Sequence, residues 1–396
     1  MTDMKKILAA LLCALLLTSC VKAASAGKKP SSSPRATVQP KSTEAPWTEE
    51  PVVGMAELYP LNDVFLSSCL GGQSSFSVTI LPEAWKGMSL EDLTETVYQI
   101  GKRWCVENFT VARTQLSDGR VRFDIRGAEP RDGVRMFFGL NLTESEQRCL
   151  DEINALVDSF GREYSWDPLL VETAIYDWIC GHMEYRSLGD FPVGDIRRIT
   201  CTSAITAFRE GWGNCQAYSD LFYIMASRAG LQPGYISGYA GGWHLWNFVV
   251  LEDANYQPLS YMVDVTFGDG SSSHYYLNFG LDRAYDRVWR QDLWAYGFEP
   301  VTNDNYTYYS LYSYDFGLSV NTYEEAADFL IWKGYQGYRT AEVLLKGFRG
   351  LDPDSLNAAV SAAATKSRVR AYWEYQYETM ENGDTLLWFT WDSFST

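Results

Sequence analysis

Residues 211–230 read GWGNCQAYSDLFYIMASRAG, and this stretch decides the fold of the middle of the chain. Its glycine-rich start favours a turn, positions 216–229 are good helix formers, and Gly230 is typical of a helix end. Cys215 therefore lies where a helix begins. There the helix dipole and unpaired backbone N–H groups favour the thiolate, the nucleophilic form of cysteine. For a lone cysteine, a buried structural role is the commoner alternative.

Two further residues make Cys215 a candidate nucleophile. His244 lies in the segment GGWHLWN at 241–247, where glycines give way to a predicted strand. Asp264 lies on the next predicted strand, at 261–267. An imidazole can take the proton from a thiol, and a carboxylate that accepts from its second nitrogen fixes the tautomer. Taken alone, Asp264 fits a carboxylate at a strand end or turn equally well.

The order of the predicted elements indicates an α+β fold. Helices are predicted at 144–160 and 168–183, before the helix that follows Cys215. Strands are predicted at 234–239, 244–251 and 261–267, after that helix. Helices followed by antiparallel strands are typical of the α+β class. We assign residues 143–315 to this middle domain.

Five short motifs resemble the core of transglutaminase-like domains. They are Gly213-x-Cys215, Arg228-Ala229-Gly230-Leu231, Ser237-Gly238-Tyr239, His244-x-Trp246-Asn247 and Val263-Asp264-x-Thr266. The resemblance covers roughly residues 165–285 and includes the order Cys, His, Asp. It implies a nucleophile-bearing helix packed on an antiparallel sheet, with a papain-type triad. In that triad Cys215 is the nucleophile, His244 the general base and acid, and Asp264 the orienting group.

The same comparison of motifs leaves the oxyanion hole open. The backbone N–H of Cys215 is a good donor at the helix start. Trp212, Gln216 and Trp246 are candidates for the second donor or for substrate contacts, and the two tryptophans fit packing beside the cleft as well. Gln216 stands where well-known animal transglutaminases carry a tryptophan. No calcium loop of the EF-hand type is present in the sequence, so neither a metal nor a cofactor is expected.

The segments on either side of the middle domain follow one plan. Residues 52–142 and 316–396 each predict a small βαββ unit, with hairpin turns at 117–119 and 382–383. An internal repeat and two unrelated α+β segments are both consistent with this pattern.

The N-terminus has the pattern of a bacterial lipoprotein. Two lysines precede an apolar run at 7–17 that is too short to span a bilayer, and Leu17-Thr18-Ser19-Cys20 resembles a lipobox. We expect a signal peptide at 1–19, a lipid on Cys20 and a flexible Ser-, Pro- and Lys-rich tether at 20–51. The protein is then extracytoplasmic and anchored to the cell membrane. An ordinary signal peptide with an incidental cysteine is the alternative.

The composition disfavours one class of binding partner and indicates how the cysteines and histidines are used. A net charge of −17 disfavours nucleic acid, because phosphate backbones repel an acidic chain. The remaining cysteines are expected to be buried small hydrophobes, although a Cys180–Cys201 disulfide is possible on sequence grounds. His182 and His274 have no evident partners, and we expect both at the surface.

The sequence therefore favours a monomeric surface thiol enzyme that acts on peptide or protein substrates through a thioester. Water would make it a peptidase or amidase, and an amine would make it a cross-linking acyltransferase. The alternative is a surface module that binds cell-wall or protein ligands with weak or no catalysis.

Overall fold

The fold is known from a computed structural model that describes residues 58, 60–106, 108–252, 258–271, 274–284, 286–289 and 317–395. The predicted signal peptide, the lipidation site Cys20 and the tether at 20–51 lie outside these ranges. Within the described ranges, no helix combines the length and apolar character that a bilayer span requires.

The N-terminal region has the predicted βαββ order. Its elements are α1 (Pro60–Leu70), β1 (Ser75–Ile80), α2 (Leu90–Trp104), β2 (Thr110–Gln115) and β3 (Val121–Arg126). The antiparallel sheet has the order β1-β3-β2. A capping box starts helix α2: the Ser89 hydroxyl accepts from the Asp92 N–H at 3.0 Å, and the Asp92 carboxylate accepts in return from the Ser89 N–H.

The helices of the middle region surround one central helix. They are α4 (Glu144–Glu163), α5 (Pro168–His182), α6 (Arg197–Thr200), α7 (Ala204–Glu210) and the central α8 (Cys215–Arg228), and α3 (Asp132–Phe138), from the end of the N-terminal region, also contacts α8. A short parallel pair, β4 (Glu184–Tyr185) with β5 (Trp212–Gly213), precedes α8. In α8 every residue from Gln216 to Ala226 is buried. A helix enclosed on all sides is a core element, and it holds its first residue, Cys215, in a fixed place.

An antiparallel sheet packs against α8. Its strands are β6 (Gln232–Tyr239), β7 (Trp243–Glu252), β8 (Pro258–Val263) and β9 (Val288–Trp289), in the order β8-β7-β6-β9. Two side chains join strand β7 to the helix. The Asn247 amide donates to the Ser219 carbonyl at 3.3 Å, and the Ser219 hydroxyl donates to the Leu245 carbonyl at 2.9 Å. The predicted α+β class with a helix on an antiparallel sheet is confirmed.

The strand predicted at 261–267 is wrong in its second half. Strand β8 ends at Val263, and a helix, α9 (Val265–Ser271), follows at once. Asp264 stands between them and caps the helix. Its carboxylate accepts from the Phe267 N–H at 3.1 Å, and its carbonyl accepts from the Gly268 N–H at 2.9 Å. An aspartate with these two bonds starts a helix, although its apolar neighbours suggested a strand.

The C-terminal region repeats the strand order of the N-terminal one. Its elements are β10 (Leu318–Val320), α10 (Tyr323–Tyr335), β11 (Thr340–Leu345), α11 (Pro353–Lys366), β12 (Arg370–Thr379) and β13 (Thr385–Ser395). The last four form the predicted βαββ unit, with strand order β11-β13-β12. Strand β10 adds to its edge in parallel with β11.

Buried polar contacts fasten the N-terminal region to the middle region. The Arg131 guanidinium donates to the Asp220 carboxylate of α8 at 2.7 Å, and the Tyr235 hydroxyl donates to the same oxygen at 2.7 Å. Arg103 of α2 donates to the Ser237 hydroxyl of β6 at 2.7 Å. Both arginines are 1% exposed, and the Arg131–Asp220 ion pair is buried on both sides, so removing Asp220 would leave the Arg131 charge without its carboxylate.

The two histidines expected at the surface differ. His182 is exposed, as predicted, and its Nε2 bonds with the Phe208 carbonyl at 2.8 Å. The prediction for His274 is wrong, because its side chain is only 18% exposed. Its Nε2 donates to Asp177 of α5 at 2.6 Å, and its Nδ1 donates to Glu342 of β11 at 2.7 Å. The residue joins the middle region to the C-terminal sheet.

The disulfide between Cys180 and Cys201 that the sequence allowed is not formed. Both residues are thiols. The Cys180 Sγ donates to the Val265 carbonyl at 3.5 Å, and the Cys201 Sγ donates to the Arg198 carbonyl at 3.2 Å.

Replacing His274 by Gln should reduce the loss of unfolding free energy that the wild type shows as pH rises above neutral. Burial lowers the pKa of His274, but its hydrogen bonds to Asp177 and Glu342 outweigh burial and raise it to about 9. The imidazolium therefore contributes stability that is complete below its unfolded pKa of about 6.5 and is lost as pH rises through about 9. We expect urea denaturation to show a loss on the order of 2–3 kcal/mol across this window in the wild type.

The matched control is His182→Gln, which should keep the wild-type slope. An identical pH dependence in wild type and His274→Gln would contradict the role assigned to this contact.

Candidate active site

Cys215 is the first residue of α8 and is partly exposed. The side chain of Asn214 caps the helix, accepting from the Gln216 N–H at 3.0 Å and the Ala217 N–H at 3.4 Å. A Cβ on Gly213 would lie 2.5 Å from the Ala217 Cβ, so only glycine lets the chain pass this close before it turns into the helix. The thiol is thus fixed at the positive end of the helix dipole, as the sequence predicts.

His244 lies on β7, opposite Gly238 of the neighbouring strand β6. Its Nε2 bonds with the Asp264 Oδ2 at 2.8 Å, which leaves Nδ1 as the ring nitrogen for Cys215. Trp246 and Phe267 stack on the imidazole, with centroid distances of 5.6 and 4.9 Å. The ring therefore has one orientation, set by a carboxylate at its edge and aromatic groups on its faces.

Asp264 is fully buried and faces a second cation that the sequence did not indicate. The Arg287 Nη1 donates to the Asp264 Oδ2 at 2.6 Å, and both side chains are 0% exposed. The guanidinium also lies 4.8–5.4 Å from the ring centroids of four aromatic residues: Trp246, Phe267, Tyr276 and Phe279. Aromatic faces and two carboxylates, Asp264 and Asp286, together compensate the buried cation.

These neighbours set the charge of each group. Enclosure raises the pKa of the Cys215 thiol, but hydrogen bonding and charge from His244 outweigh it, so the pKa lies below its usual range. Burial lowers the pKa of His244, yet Asp264, with a smaller contribution from Cys215, raises it to about 10. Burial raises the pKa of Asp264, while His244 and Arg287 lower it to about 2. The arrangement favours a thiolate beside an imidazolium that a permanent carboxylate steadies.

A cavity of about 250 Å³ opens at this pair. Cys215 and His244 lie on its wall with Trp243 and Leu245 of β7. The remaining lining residues come from α2, the 185–189 segment, the turn before α8, the first turn of α8 and strand β6: Gln99, Lys102, Tyr185, Ser187, Leu188, Gly189, Asn214, Gln216 and Ser237. A peptide segment entering the cavity would meet the thiol at the head of the helix.

The three residues proposed for the second oxyanion donor or for substrate contact lie in different places relative to the cavity. Gln216 lines the cavity, and its Nε2 donates to the Lys102 carbonyl at 3.2 Å. The Trp212 indole donates to Glu210 at 3.0 Å, and its ring lies beside Phe191. Trp246 is 1% exposed and supports the His244 ring from behind. Neither tryptophan is among the residues that line the cavity.

Sequence reasoning missed the contributions from outside the motifs. Arg287 lies in a stretch with no regular pattern, and nothing in the sequence links it to Asp264. Gln99 and Lys102 come from the N-terminal region, more than a hundred positions before the thiol. Within the described ranges, no group of three or more His, Cys, Asp or Glu side chains is placed to hold a metal.

The charge state of Cys215 should depend on His244. In the wild type we expect the rate of iodoacetamide labelling at Cys215 to titrate below the usual thiol pKa of about 8.5. In His244→Ala the partner is lost and enclosure remains, so the titration should move to or above about 8.5, with labelling near neutral pH at least ~10-fold slower. Mass spectrometry of the Cys215 peptide measures both rates, and His182→Ala is the control. A pH profile shared by wild type and His244→Ala would contradict the pairing.

Removing Arg287 should destabilise the fold more than removing a similar buried arginine. Arg287→Met removes one of the two cations that face Asp264, and it removes the guanidinium paired with Asp286, at an expected cost of about 3–5 kcal/mol in unfolding free energy. Arg283→Met is the matched control, because Arg283 is buried to a similar degree and donates to the carbonyls of Tyr275 and Asn278. The excess cost should shrink in acid, where Asp264 of the variant is neutral. Equal losses for the two variants at every pH would refute the assignment.

Comparison with known proteins agrees with this geometry. Residues 162–261 match the model of the transglutaminase-like superfamily; they include Cys215 and His244 and end just before Asp264. Kyphoscoliosis peptidase is 29% identical in mouse and 27% identical in human over 150 residues, in each case 35% of this chain and 21% of the relative. The chain thus spans about a fifth of the length of these relatives.

A crystal structure of a TGase aligns with 49% of this chain and 51% of its own length, at 14% identity and a TM-score of 0.25. That likeness is too low to carry an argument. The superfamily match rests instead on residues 162–261, which contain α8 with strands β6 and β7, and this segment of the chain is transglutaminase-like.

Proposed function

We propose that this protein is a cell-surface thiol enzyme that acts on peptide or amide bonds through Cys215, His244 and Asp264. The observation that carries the proposal is the hydrogen bond of 2.8 Å that orients His244 on Asp264, beside a cysteine at a helix N-terminus. The lowered thiol pKa and raised imidazole pKa support a nucleophile that is charged before substrate arrives.

In the first half of the reaction, the Cys215 thiolate attacks the carbonyl carbon of the substrate amide. The carbonyl oxygen becomes an oxyanion, and the Cys215 backbone N–H at the head of α8 donates to it. Gln216 supplies the second donor, since an amide nitrogen carries two hydrogens and its bond to Lys102 uses one. His244 then gives its proton to the leaving nitrogen, the C–N bond breaks, and a thioester remains on Cys215.

In the second half, the neutral imidazole takes a proton from an incoming nucleophile. Attack on the thioester carbon expels the Cys215 thiolate and restores the imidazolium. Water as the nucleophile releases a carboxylic acid, whereas an amine forms a new amide. We favour hydrolysis, because water is always available outside a cell and because the curated relatives are named as peptidases.

The proposed location follows from the N-terminal pattern. A lipid on Cys20 would hold the chain at the membrane, and the 20–51 tether would let the domain reach substrates at the cell surface.

The direct test is mass spectrometry of a peptide library incubated with the full chain, with and without a primary amine. We expect cleavage or deamidation products from the wild type, and at least a ~10³-fold loss of rate in Cys215→Ala. Cys180→Ala is the matched control, because Cys180 is another partly exposed thiol but does not line the cavity.

The products distinguish a hydrolase, an acyltransferase and a binding module. Amide formation with the added amine would identify an acyltransferase. No product from the wild type, together with ligand binding that Cys215→Ala leaves unchanged, would overturn the enzyme and favour a binding module.

A further inference from the structure

Two buried cysteines meet far from Cys215 in the chain. Cys69 lies in the last turn of α1, and Cys105 directly follows α2. Their sulfur atoms are 3.5 Å apart, and both side chains are buried, at 4% and 0% exposure. The Cys180–Cys201 pair considered from the sequence has no such contact, whereas this pair, separated by 36 positions, is already adjacent.

The backbone holds both residues in this arrangement. The Cys105 N–H donates to the Gly101 carbonyl at 2.9 Å, and Cys105 forms a bridge with Pro130. The carbonyl of Cys69 accepts from the Gly72 N–H at 3.1 Å in the turn that ends α1. A disulfide needs a sulfur separation of about 2.0 Å, so the sulfurs must move by roughly 1.5 Å, a distance within the reach of side-chain rotation.

We propose that Cys69 and Cys105 are the site of a structural disulfide that joins α1 to the end of α2. The oxidant is a disulfide of a small thiol or of a thiol oxidoreductase. Cys69 attacks one sulfur of that disulfide and expels its first thiol. Cys105 then attacks the Cys69 sulfur and expels the second thiol. The two cysteines lose two electrons and two protons in all, and the oxidant gains them as two thiols.

The surroundings of Cys69 favour it as the attacking residue. Cys69 lines a cavity of about 610 Å³, together with Arg131, Asp132 and Arg135, whereas Cys105 is fully enclosed. The hydrogen bond from Cys105 lowers the pKa of Cys69 below its usual range, with a smaller contribution from Arg131, although burial opposes it. Of the two cysteines, Cys69 is thus the one that borders the cavity and the one whose sulfur ionises first.

The bond would secure one wall of the candidate active site. Helix α2 contributes Gln99 and Lys102 to the cavity at Cys215, and the Lys102 carbonyl accepts from Gln216. Joining the end of this helix to α1 closes a loop in the unfolded chain and limits the freedom of that wall in the folded one.

Peptide mapping of the full chain tests the proposal. The protein is treated with oxidised glutathione, denatured, alkylated without reductant and digested with trypsin. The expected product is peptide 42–86 joined to peptide 104–113, with the joined mass lost on reduction. Cys149→Ala, which alters another buried thiol, should keep this product, and Cys69→Ser should abolish it and leave Cys105 alkylated.

Thermal unfolding gives a second readout that does not depend on peptide recovery. Reductant should lower the Tm of the oxidised wild type by roughly 5 °C or more and leave the Cys69→Ala, Cys105→Ala double variant unchanged. Alkylation of both cysteines in most molecules, or a disulfide from Cys69 to any other cysteine, would overturn the proposal.

Discussion

The carboxylate of Asp264 is the constraint on which the site depends. It is fully buried, and one of its oxygens lies 2.8 Å from the His244 ring and 2.6 Å from the Arg287 guanidinium. A charge in that position is tolerated only when it is paired, so the two cations hold Asp264 ionised and Asp264 holds both in place. The same residue caps α9, which fixes the carboxylate to the backbone.

The helix and strand around Asp264 fix the positions of Cys215 and His244. Helix α8 is buried along most of its length, so its first residue cannot drift. Asn247 and Ser219 join β7 to that helix and thereby set the distance between the strand of His244 and the thiol. The arrangement of a thiol, an imidazole and a carboxylate thus rests on ordinary packing and hydrogen bonds to the backbone.

Local patterns predicted much of this arrangement. The glycine-rich turn before Cys215 and the helix formers after it predicted the start of α8, because these signals act within a few residues. The strand at Asp264 was wrong, because capping depends on where the side chain points. His274 and Arg287 could not be placed, since their partners are distant in sequence and a charged residue in an irregular segment usually lies in solvent. The Cys69–Cys105 contact was missed for the same reason.

The measurement that tests the account most directly is the protonation state of His244, observed by ¹⁵N NMR on protein labelled in histidine at about pH 8. With three histidines in the chain, His244→Asn suffices to assign its signals. The ion pair requires both ring nitrogens of His244 to carry protons, because its pKa of about 10 lies well above that pH. A neutral ring, with one nitrogen unprotonated beside a protonated thiol, would contradict the account.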